Sequence, residues 1–396
     1  MRIVSAIVAV FLPFCGYGMS FDAVCERAYR VSGALIQNQG LRDANVHAKA
    51  SALAGEPLSL EADASEVRGL DPINSGVRYH TMLNVQLKKP QWAKIQGEYY
   101  DQEAQRFQQQ RQQYENGIRI ALKHDWLIAM VEEERIKILE EKATFFDQAY
   151  AIGEKKVAAG RLSQMELIRL HNEVYMTHQE RDLAKMEREH LQHTFQEATM
   201  ATQDVVIDDL SFAFIADRGE SEGWIKQAFS VQMLTAEIDV LTLRIKGASY
   251  EGNQFISVGV GMTHEPVQES VDVRVAIPLS LSGKNEQQRS ALMAQRSALI
   301  HEREVVMGKL RIIVPTLLEH LKTKAERLTR ALRMHTTQKK LREMGQKGYE
   351  GGVVSQFEYL ASQNSYYDQQ LRTLELKRNY IDEMRGLEEK LGRVWE

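Results

Sequence analysis

Few side chains in this 396-residue chain are spaced for chemistry. His190 and His193 lie three residues apart on one helical face, near Glu187 and Glu189, and that spacing can chelate a metal. The same grouping is more typical of a solvated helix face. The Ser-Gly-Lys run at 282–284 lacks the upstream glycine of a phosphate loop, and no cysteine cluster or nucleophile triad occurs. We therefore predict no catalytic residues, no metal site, no cofactor and no enzymatic activity.

A more informative pattern occurs twice, where a predicted helix must reverse direction. A glycine, which tolerates positive φ, is followed three residues later by a serine suited to cap the next helix. Glu166 and Glu358 then complete a Ser-x-x-Glu capping box. A turn explains this pattern fully without any partner. The two runs are Gly160-Arg161-Leu162-Ser163 and Gly352-Val353-Val354-Ser355.

The elements that position these turns are long helices. Pro90 suits the first turn of one helix, and Gly283 suits the break before another. From Pro90 to Ala158, and from Gly283 to Gly348, apolar residues recur at helical and heptad spacing, which favours coiled-coil packing. Nearly 70 residues at 1.5 Å each give about 100 Å of helix. Pro315 is expected to kink the second helix.

Short strands precede each long helix. Apolar and polar residues alternate in segments 58–65, 77–87, 258–262 and 271–277, which predicts four strands with one apolar and one polar face. Each half of the chain is thus expected to contain a helix, two strands, a long helix, a turn and a helix.

The halves also share residues. Segments 153–175 and 345–367 are identical at eight of 23 positions with an offset of 192, and the same offset aligns Val85 with Ile277. Such a repeat indicates a duplicated half. We predict a first repeat at 19–206 and a second at 207–396.

The N-terminus is typical of a targeting segment. Arg2 precedes an apolar run that ends at Phe14, too short to span a bilayer but suited to a signal peptide at 1–18. A membrane anchor is the alternative. Cys15 follows Phe14 rather than a small residue, which argues against lipidation, and cleavage leaves Cys25 as the sole cysteine. No intramolecular disulfide is then expected.

Composition excludes one class of partner and constrains assembly. The net charge of −4 argues against nucleic-acid binding.

Four strands cannot close a barrel alone, but their length suits a transmembrane strand of about ten residues. Three chains would supply twelve strands and remove every edge. The alternative is an antiparallel sheet on a soluble core. The predicted fold class is mainly α, with a coiled-coil helical barrel and a small transmembrane β part.

These features together resemble the TolC-type outer-membrane efflux protein family over nearly the whole mature chain. Segments 158–175 and 348–370 resemble its two periplasmic hairpin turns, and 273–299 resembles its strand-to-helix passage. Segment 55–69 is similar to the first strand of the heavy-metal branch, of cobalt–zinc–cadmium type. Pro278-Leu279-Ser280 stands where that branch often has Pro-Leu-Pro.

The resemblance implies a passive outer-membrane channel with a long periplasmic extension. It implies a homotrimer in outer-membrane lipid, a periplasmic membrane-fusion adaptor that contacts the hairpin tips, and an inner-membrane pump of the resistance-nodulation-division type. It also implies that Glu358 lines a cation-selective constriction, whereas the family's second acidic position falls at Ala361. Heavy-metal cations are one possible cargo. A multidrug or protein-secretion channel, or an exported coiled-coil structural protein, is the alternative.

Overall fold

The computed structural model describes residues 19–68, 76–201, 205, 221–250, 253–266, 268–278 and 283–395. The predicted signal peptide at 1–18, with Cys15, lies outside these ranges, and so do the predicted repeat boundary at 206/207 and the Leu279-Ser280 part of the Pro-Leu-Ser run.

The chain is mainly helical, with a small antiparallel sheet, as the sequence predicted. The elements are, in order, α1 (Phe21–Val31), α2 (Gly33–Leu53), β1 (Ser59–Val67), β2 (Gly76–Lys88), α3 (Pro90–Ala158), α4 (Gln164–Thr199), α5 (Ser221–Gln227), α6 (Phe229–Ala248), β3 (Phe255–His264), β4 (Glu269–Ala276), α7 (Lys284–Glu350) and α8 (Gln356–Leu391).

One prediction about element order is wrong. Two helices, not one, precede each pair of strands. Ser32 separates α1 from α2 because its backbone is extended, with φ −67° and ψ 115°. Ala228 separates α5 from α6 in the same way, with ψ 135°.

The four strands form one sheet in the order β1-β2-β3-β4, and every neighbouring pair is antiparallel. The central pair joins strands from the two predicted repeats, with Leu83 opposite Val260. Val260 is in turn opposite Val273. Because directly opposite residues share a face, this register places the apolar residues of all four strands together.

The chain divides into two compact units, and each contains segments from both predicted repeats. The first comprises residues 1–33, 115–221 and 312–396, and the second comprises 34–114 and 222–311. The repeats at 19–206 and 207–396 therefore remain a prediction about sequence organisation.

In the first unit, aromatic side chains hold α1 against α3 and α4. Trp126 is fully buried, with its ring centroid 5.6 Å from Phe21 and 5.7 Å from Phe195. The α1 residue Arg27 also donates from Nε to the carbonyl of Thr199 at 3.0 Å, near the end of α4. These contacts bury large apolar surfaces and satisfy a helix terminus.

Helix α7 also contributes deeply buried heptad residues to the first unit. Val314, Leu321 and Leu328 are at most 3% exposed. They are spaced seven residues apart, as the heptad pattern predicts, and Pro315 lies within the continuous α7. This part of the apolar stripe is therefore a true packing seam.

In the second unit, Lys88 joins the end of α2 to the start of α3. Its Nζ donates to the carbonyls of Ala52 at 2.7 Å and Ala54 at 2.5 Å, and lies 5.8 Å from the ring centroid of Trp92. A cation that binds the last carbonyls of a helix satisfies groups that have no partner within the helix. The Trp92 ring packs 6.0 Å from Phe255 at the start of β3.

None of the helices in the described ranges combines the length and the hydrophobicity of a bilayer-spanning segment.

Candidate functional site

The two helix reversals have the same backbone geometry. Gly160 has φ +66°, and Gly352 has φ +72°, so both glycines adopt the predicted left-handed conformation. The amide of Arg161 donates to the carbonyl of Lys156, and the amide of Val353 donates to that of Gly348, each at 2.8 Å. These six-to-one bonds are those of a Schellman motif, which ends a helix and satisfies its last carbonyls.

Both predicted capping boxes are present. Glu358 accepts hydrogen bonds from the Ser355 amide at 2.9 Å and the Ser355 hydroxyl at 2.8 Å, while its own amide donates to Ser355 Oγ at 3.2 Å. Ser163 and Glu166 form the same box in the other hairpin. The backbone and hydroxyl hydrogen bonds of Ser355 hold the pKa of Glu358 below its usual value. The hydroxyl and backbone amide of Ser163 likewise hold the pKa of Glu166 below its usual value.

The tip residues differ in how far they face solvent. Val353 is 86% exposed. Val354 is half-buried because it packs on Gly348, where a Cβ atom would lie only 2.5 Å from Val354 Cγ2. Leu162 is also half-buried, whereas Arg161 is exposed. The tips thus present both apolar and charged groups.

Lys156 connects the two hairpins near their tips. Its Nζ donates to the Tyr349 hydroxyl at 2.8 Å and to Gln356 Oε1 at 2.5 Å. Tyr349 in turn stacks on Tyr359, with ring centroids 4.9 Å apart. Sequence reasoning missed this connection, because nothing local indicates which residues of the distant hairpin lie beside Lys156.

A groove of about 380 Å³ lies beside these contacts, between the N-terminal parts of α4 and α8. Its lining includes the apolar side chains of Leu162, Leu170 and Phe357 as well as the capping carboxylate of Glu166. Phe357 is 59% exposed, and Met165 and Ile168 in the first turns of α4 are also exposed. Apolar surface therefore continues outward from the groove.

The sheet in the second unit has one apolar and one polar face. Val260, Val271 and Val273 are more than half exposed although they are aliphatic. The polar face carries charged pairs, including Arg78 with Glu265 at 2.6 Å and Arg274 with Glu61 at 3.9 Å. Among the described residues, none covers these aliphatic side chains, and an exposed apolar face of this kind is typical of an interaction surface.

Two glycines on the polar face make room for a buried methionine. Met82 is 1% exposed, and a Cβ atom on Gly259 would lie 2.9 Å from its sulfur. A Cβ on Gly261 would lie 2.6 Å from the Thr81 carbonyl oxygen, which is backbone and cannot rotate away. The alternation of valine and glycine in β3 therefore has a packing reason that the sequence pattern alone did not reveal.

In the described part of the chain, no three or more His, Cys, Asp or Glu side chains are grouped to hold a metal ion. His193 Nδ1 lies 3.3 Å from Gln196 Oε1, and the His190 carbonyl accepts from the Thr194 hydroxyl at 3.1 Å. The structure does not bring these two histidines together with other ligands.

Solved structures show where this architecture recurs. CusC, whose structures concern folding and transmembrane channel formation, has a TM-score of 0.72 and 14% identity over 95% of this chain and 92% of its own. The outer membrane protein VceC from Vibrio cholerae has a TM-score of 0.69 and 10% identity over 95% of this chain and 97% of its own. The CmeC outer membrane channel from Campylobacter jejuni has a TM-score of 0.68 and 12% identity over 94% of this chain and 85% of its own.

The chain has a TolC-like channel fold. At these identities the similarity concerns the fold alone, and no protein-family model or curated protein matches the chain. Along the chain, α3 follows β2 and ends before the reversal at Gly160, and α7 follows β4 and ends before the reversal at Gly352.

Proposed function

We propose that the chain is one protomer of an outer-membrane efflux channel, a passive duct with no enzymatic activity. One observation carries the proposal: a four-stranded sheet has an aliphatic face exposed along all strands and a charged opposite face. Aliphatic groups suit contact with lipid, and charged groups suit a water-filled lumen. The channel fold and its outer-membrane neighbours support the same interpretation.

The sheet requires partners to function in a membrane. β1 and β4 each have one neighbour in the sheet, so each has an edge with unpaired backbone groups. Such edges are not tolerated in lipid, where no water satisfies them. A homotrimer with twelve strands would pair every edge. The signal peptide at 1–18 would direct export, and the repeats at 19–206 and 207–396 would each supply two strands and one hairpin.

The hairpin tips are the proposed contact for a periplasmic membrane-fusion adaptor. The contact residues would be Gly160, Arg161, Leu162, Ser163, Gly352, Val353, Val354 and Ser355. The exposed Val353 and the apolar groove beside Phe357 support this, because a solvent-exposed apolar patch at a tip is suited to a protein partner. An inner-membrane pump of the resistance-nodulation-division type would deliver the cargo through that adaptor.

The proposed cargo is a cation, with heavy-metal cations as the preferred class. Three copies of Glu358 around a threefold axis would form an acidic ring, which favours cations over anions.

The proposed channel function can be tested by reconstituting the purified protein in planar bilayers. Protein purified from outer membranes should run as a heat-sensitive trimer and form ion-conducting pores in planar bilayers. A stable, water-soluble monomer that keeps its full β-content and forms no pores would sink the proposal and favour an exported coiled-coil protein.

A further inference from the structure

Three polar side chains form a chain of hydrogen bonds across the polar face of the sheet. His80 Nδ1 on β2 lies 2.8 Å from Thr263 Oγ1 on β3, and the Thr263 hydroxyl donates to Asp272 on β4. An ionised carboxylate can only accept, so the hydroxyl hydrogen is committed to Asp272. The Thr263 oxygen must then accept from a protonated Nδ1. In the neutral imidazole, this places the free lone pair on Nε2.

Two acidic groups share the polar face with this ring: Asp272, whose carboxylate lies 3.6 Å from Nδ1, and Asp63 on the neighbouring strand. Asp63 on β1 is the cross-strand partner of His80, so both side chains are on the polar face, and Asp63 is exposed. Within the described part of the chain, neither the Asp63 carboxylate nor His80 Nε2 has a hydrogen-bond partner. Cross-strand partners on the surface proposed to line the lumen therefore carry an imidazole lone pair and a carboxylate, which form no ion pair with each other in the described structure.

We propose that His80 and Asp63 form a contact site for divalent transition-metal cations such as Zn²⁺ in transit through the channel. The inference rests on the proposed function, because it needs the polar face to line the lumen. Imidazole nitrogen favours Zn²⁺, Cu²⁺ and Ni²⁺, whereas Mg²⁺ prefers oxygen ligands only. Thr263 and Asp272 act as positioning residues, since a hydrogen bond from the other ring nitrogen fixes the orientation of a metal-binding histidine.

The small number of ligands suits passage rather than storage. Two protein ligands leave the remaining positions to water, and no group of three ligating side chains occurs in the described ranges. A cation in a pore must bind well enough to enter and weakly enough to leave. A resident structural metal would instead need about four protein ligands.

The test uses the purified trimer in planar bilayers at neutral pH and constant ionic strength. Zn²⁺ should reduce the conductance of the wild-type channel at concentrations where Mg²⁺ has little effect. We expect His80→Gln to raise the half-blocking Zn²⁺ concentration at least about tenfold and to leave the Mg²⁺ response unchanged, as loss of a metal ligand or its support costs about 10–100-fold in affinity.

Two further variants test whether Thr263 orients the metal-binding ring of His80. Thr263→Val removes the hydroxyl that orients the ring and should weaken the Zn²⁺ block, whereas Thr263→Ser should restore it. Loss of block in Thr263→Val together with recovery in Thr263→Ser supports the positioning role even if His80→Gln assembles poorly. Equal block in Thr263→Val and wild type contradicts it.

The matched control is His264→Gln. His264 is the next residue along β3 after Thr263, lies on the opposite face and contacts Glu269 at 3.0 Å. The His264→Gln variant should leave the Zn²⁺ block unchanged. A conducting channel whose Zn²⁺ block is the same in wild type and His80→Gln, or is lost equally in His264→Gln, overturns this inference alone. A wild-type protein that forms no pore overturns the proposed function, and this inference with it.

Discussion

At the scale of single residues, Glu358 has two roles that one substitution can separate. Its carboxylate caps α8 through Ser355, and glutamine can complete the same capping box. Glu358→Gln should therefore leave the fold and the trimer intact. If three copies also form the proposed acidic ring, the change removes three negative charges from a constriction. Single-channel recordings should then show altered conductance and a loss of cation selectivity, because rings of acidic side chains favour cations.

Glu166→Gln is the matched control for that prediction. Glu166 caps α4 through Ser163 with the same geometry, but the two hairpins need not face the lumen equally. We expect a smaller electrical effect there. Unchanged conductance, selectivity and multivalent-cation block in Glu358→Gln would leave only the capping role.

His124 is expected to make stability depend on pH. Its Nε2 lies 2.8 Å from Asp382 and its Nδ1 3.0 Å from Asp125, with Arg385 3.2 Å from Nδ1. Burial lowers the pKa of His124, but the hydrogen bonds to Asp125 and Asp382 raise it, and the net pKa lies above its usual value. A raised pKa in the folded state stabilises the protein fully below the unfolded pKa of about 6.5 and loses that effect as pH rises through the folded pKa.

The measurement is the melting temperature of the detergent-solubilised protein between acidic and mildly alkaline pH. In the wild type, the melting temperature should fall as the pH rises above about 6.5 and the stabilising proton on His124 is lost. His124→Gln should make this fall smaller. His178→Gln is the comparison variant, because the atoms of the His178–Asp147 pair are 3.1 Å apart but the histidine is more exposed to solvent. The same pH slope in wild type and His124→Gln would contradict the assignment.

At the scale of elements, the reversals depend on left-handed glycines. Gly352 has φ +72°, and a Cβ atom there would meet nothing within 4 Å. Substitution therefore costs backbone strain and no steric clash, on the order of 1–2 kcal/mol for a β-branched residue. Gly352→Val should lower the stability of the tip and weaken adaptor binding while the trimer remains in the outer membrane.

Asparagine provides the control, since it tolerates the left-handed conformation better than valine. Gly352→Asn should bind the adaptor more nearly like wild type, and Gly160→Val should repeat the defect of Gly352→Val in the other hairpin. Adaptor binding by surface plasmon resonance and efflux in cells are the two readouts. Normal export by the Gly160→Val, Gly352→Val double variant would show that the tip conformation is dispensable.

Local signals explain which elements the sequence could predict. α3 begins at Pro90 and ends at Ala158 as expected, because proline favours a first helical turn and glycine a reversal. The strands also follow from their period of two. The pairing of β2 with β3 could not be predicted, because it joins residues about 180 positions apart. Neither could the burial of Met82, which depends on glycines of the neighbouring strand.

The same distinction applies to the candidate site. Gly160, Gly352 and both capping boxes were predicted because the residues that form each one are close in sequence. Lys156 was missed because its partners Tyr349 and Gln356 are nearly 200 residues away. His80 and Thr263 were missed as a pair for the same reason. The adaptor contact and the Glu358 ring remain predictions, because both concern partners or copies of the chain.

At the scale of the whole molecule, membrane assembly should depend on which face of the sheet carries a new charge. Val273 is 70% exposed on the aliphatic face, and an arginine there would face lipid in the proposed trimer. Such a charge costs about 2–4 kcal/mol near the bilayer midplane, and three protomers would each contribute it. Val273→Arg should therefore reduce the amount of trimer that remains in outer membranes after carbonate washing.

Arg274→Gln is the matched change on the other face of the same strand. It removes one exposed pair with Glu61, whose atoms are 3.9 Å apart, and pairs of this kind contribute about 0–1 kcal/mol. We expect normal trimer levels and an altered ion selectivity, since the lost charge would lie in the lumen. Quantitative immunoblots of washed membranes, with and without heating, measure both variants. Equal loss of trimer in the two would show that the faces are assigned incorrectly, because only the lipid-facing change carries a large desolvation cost.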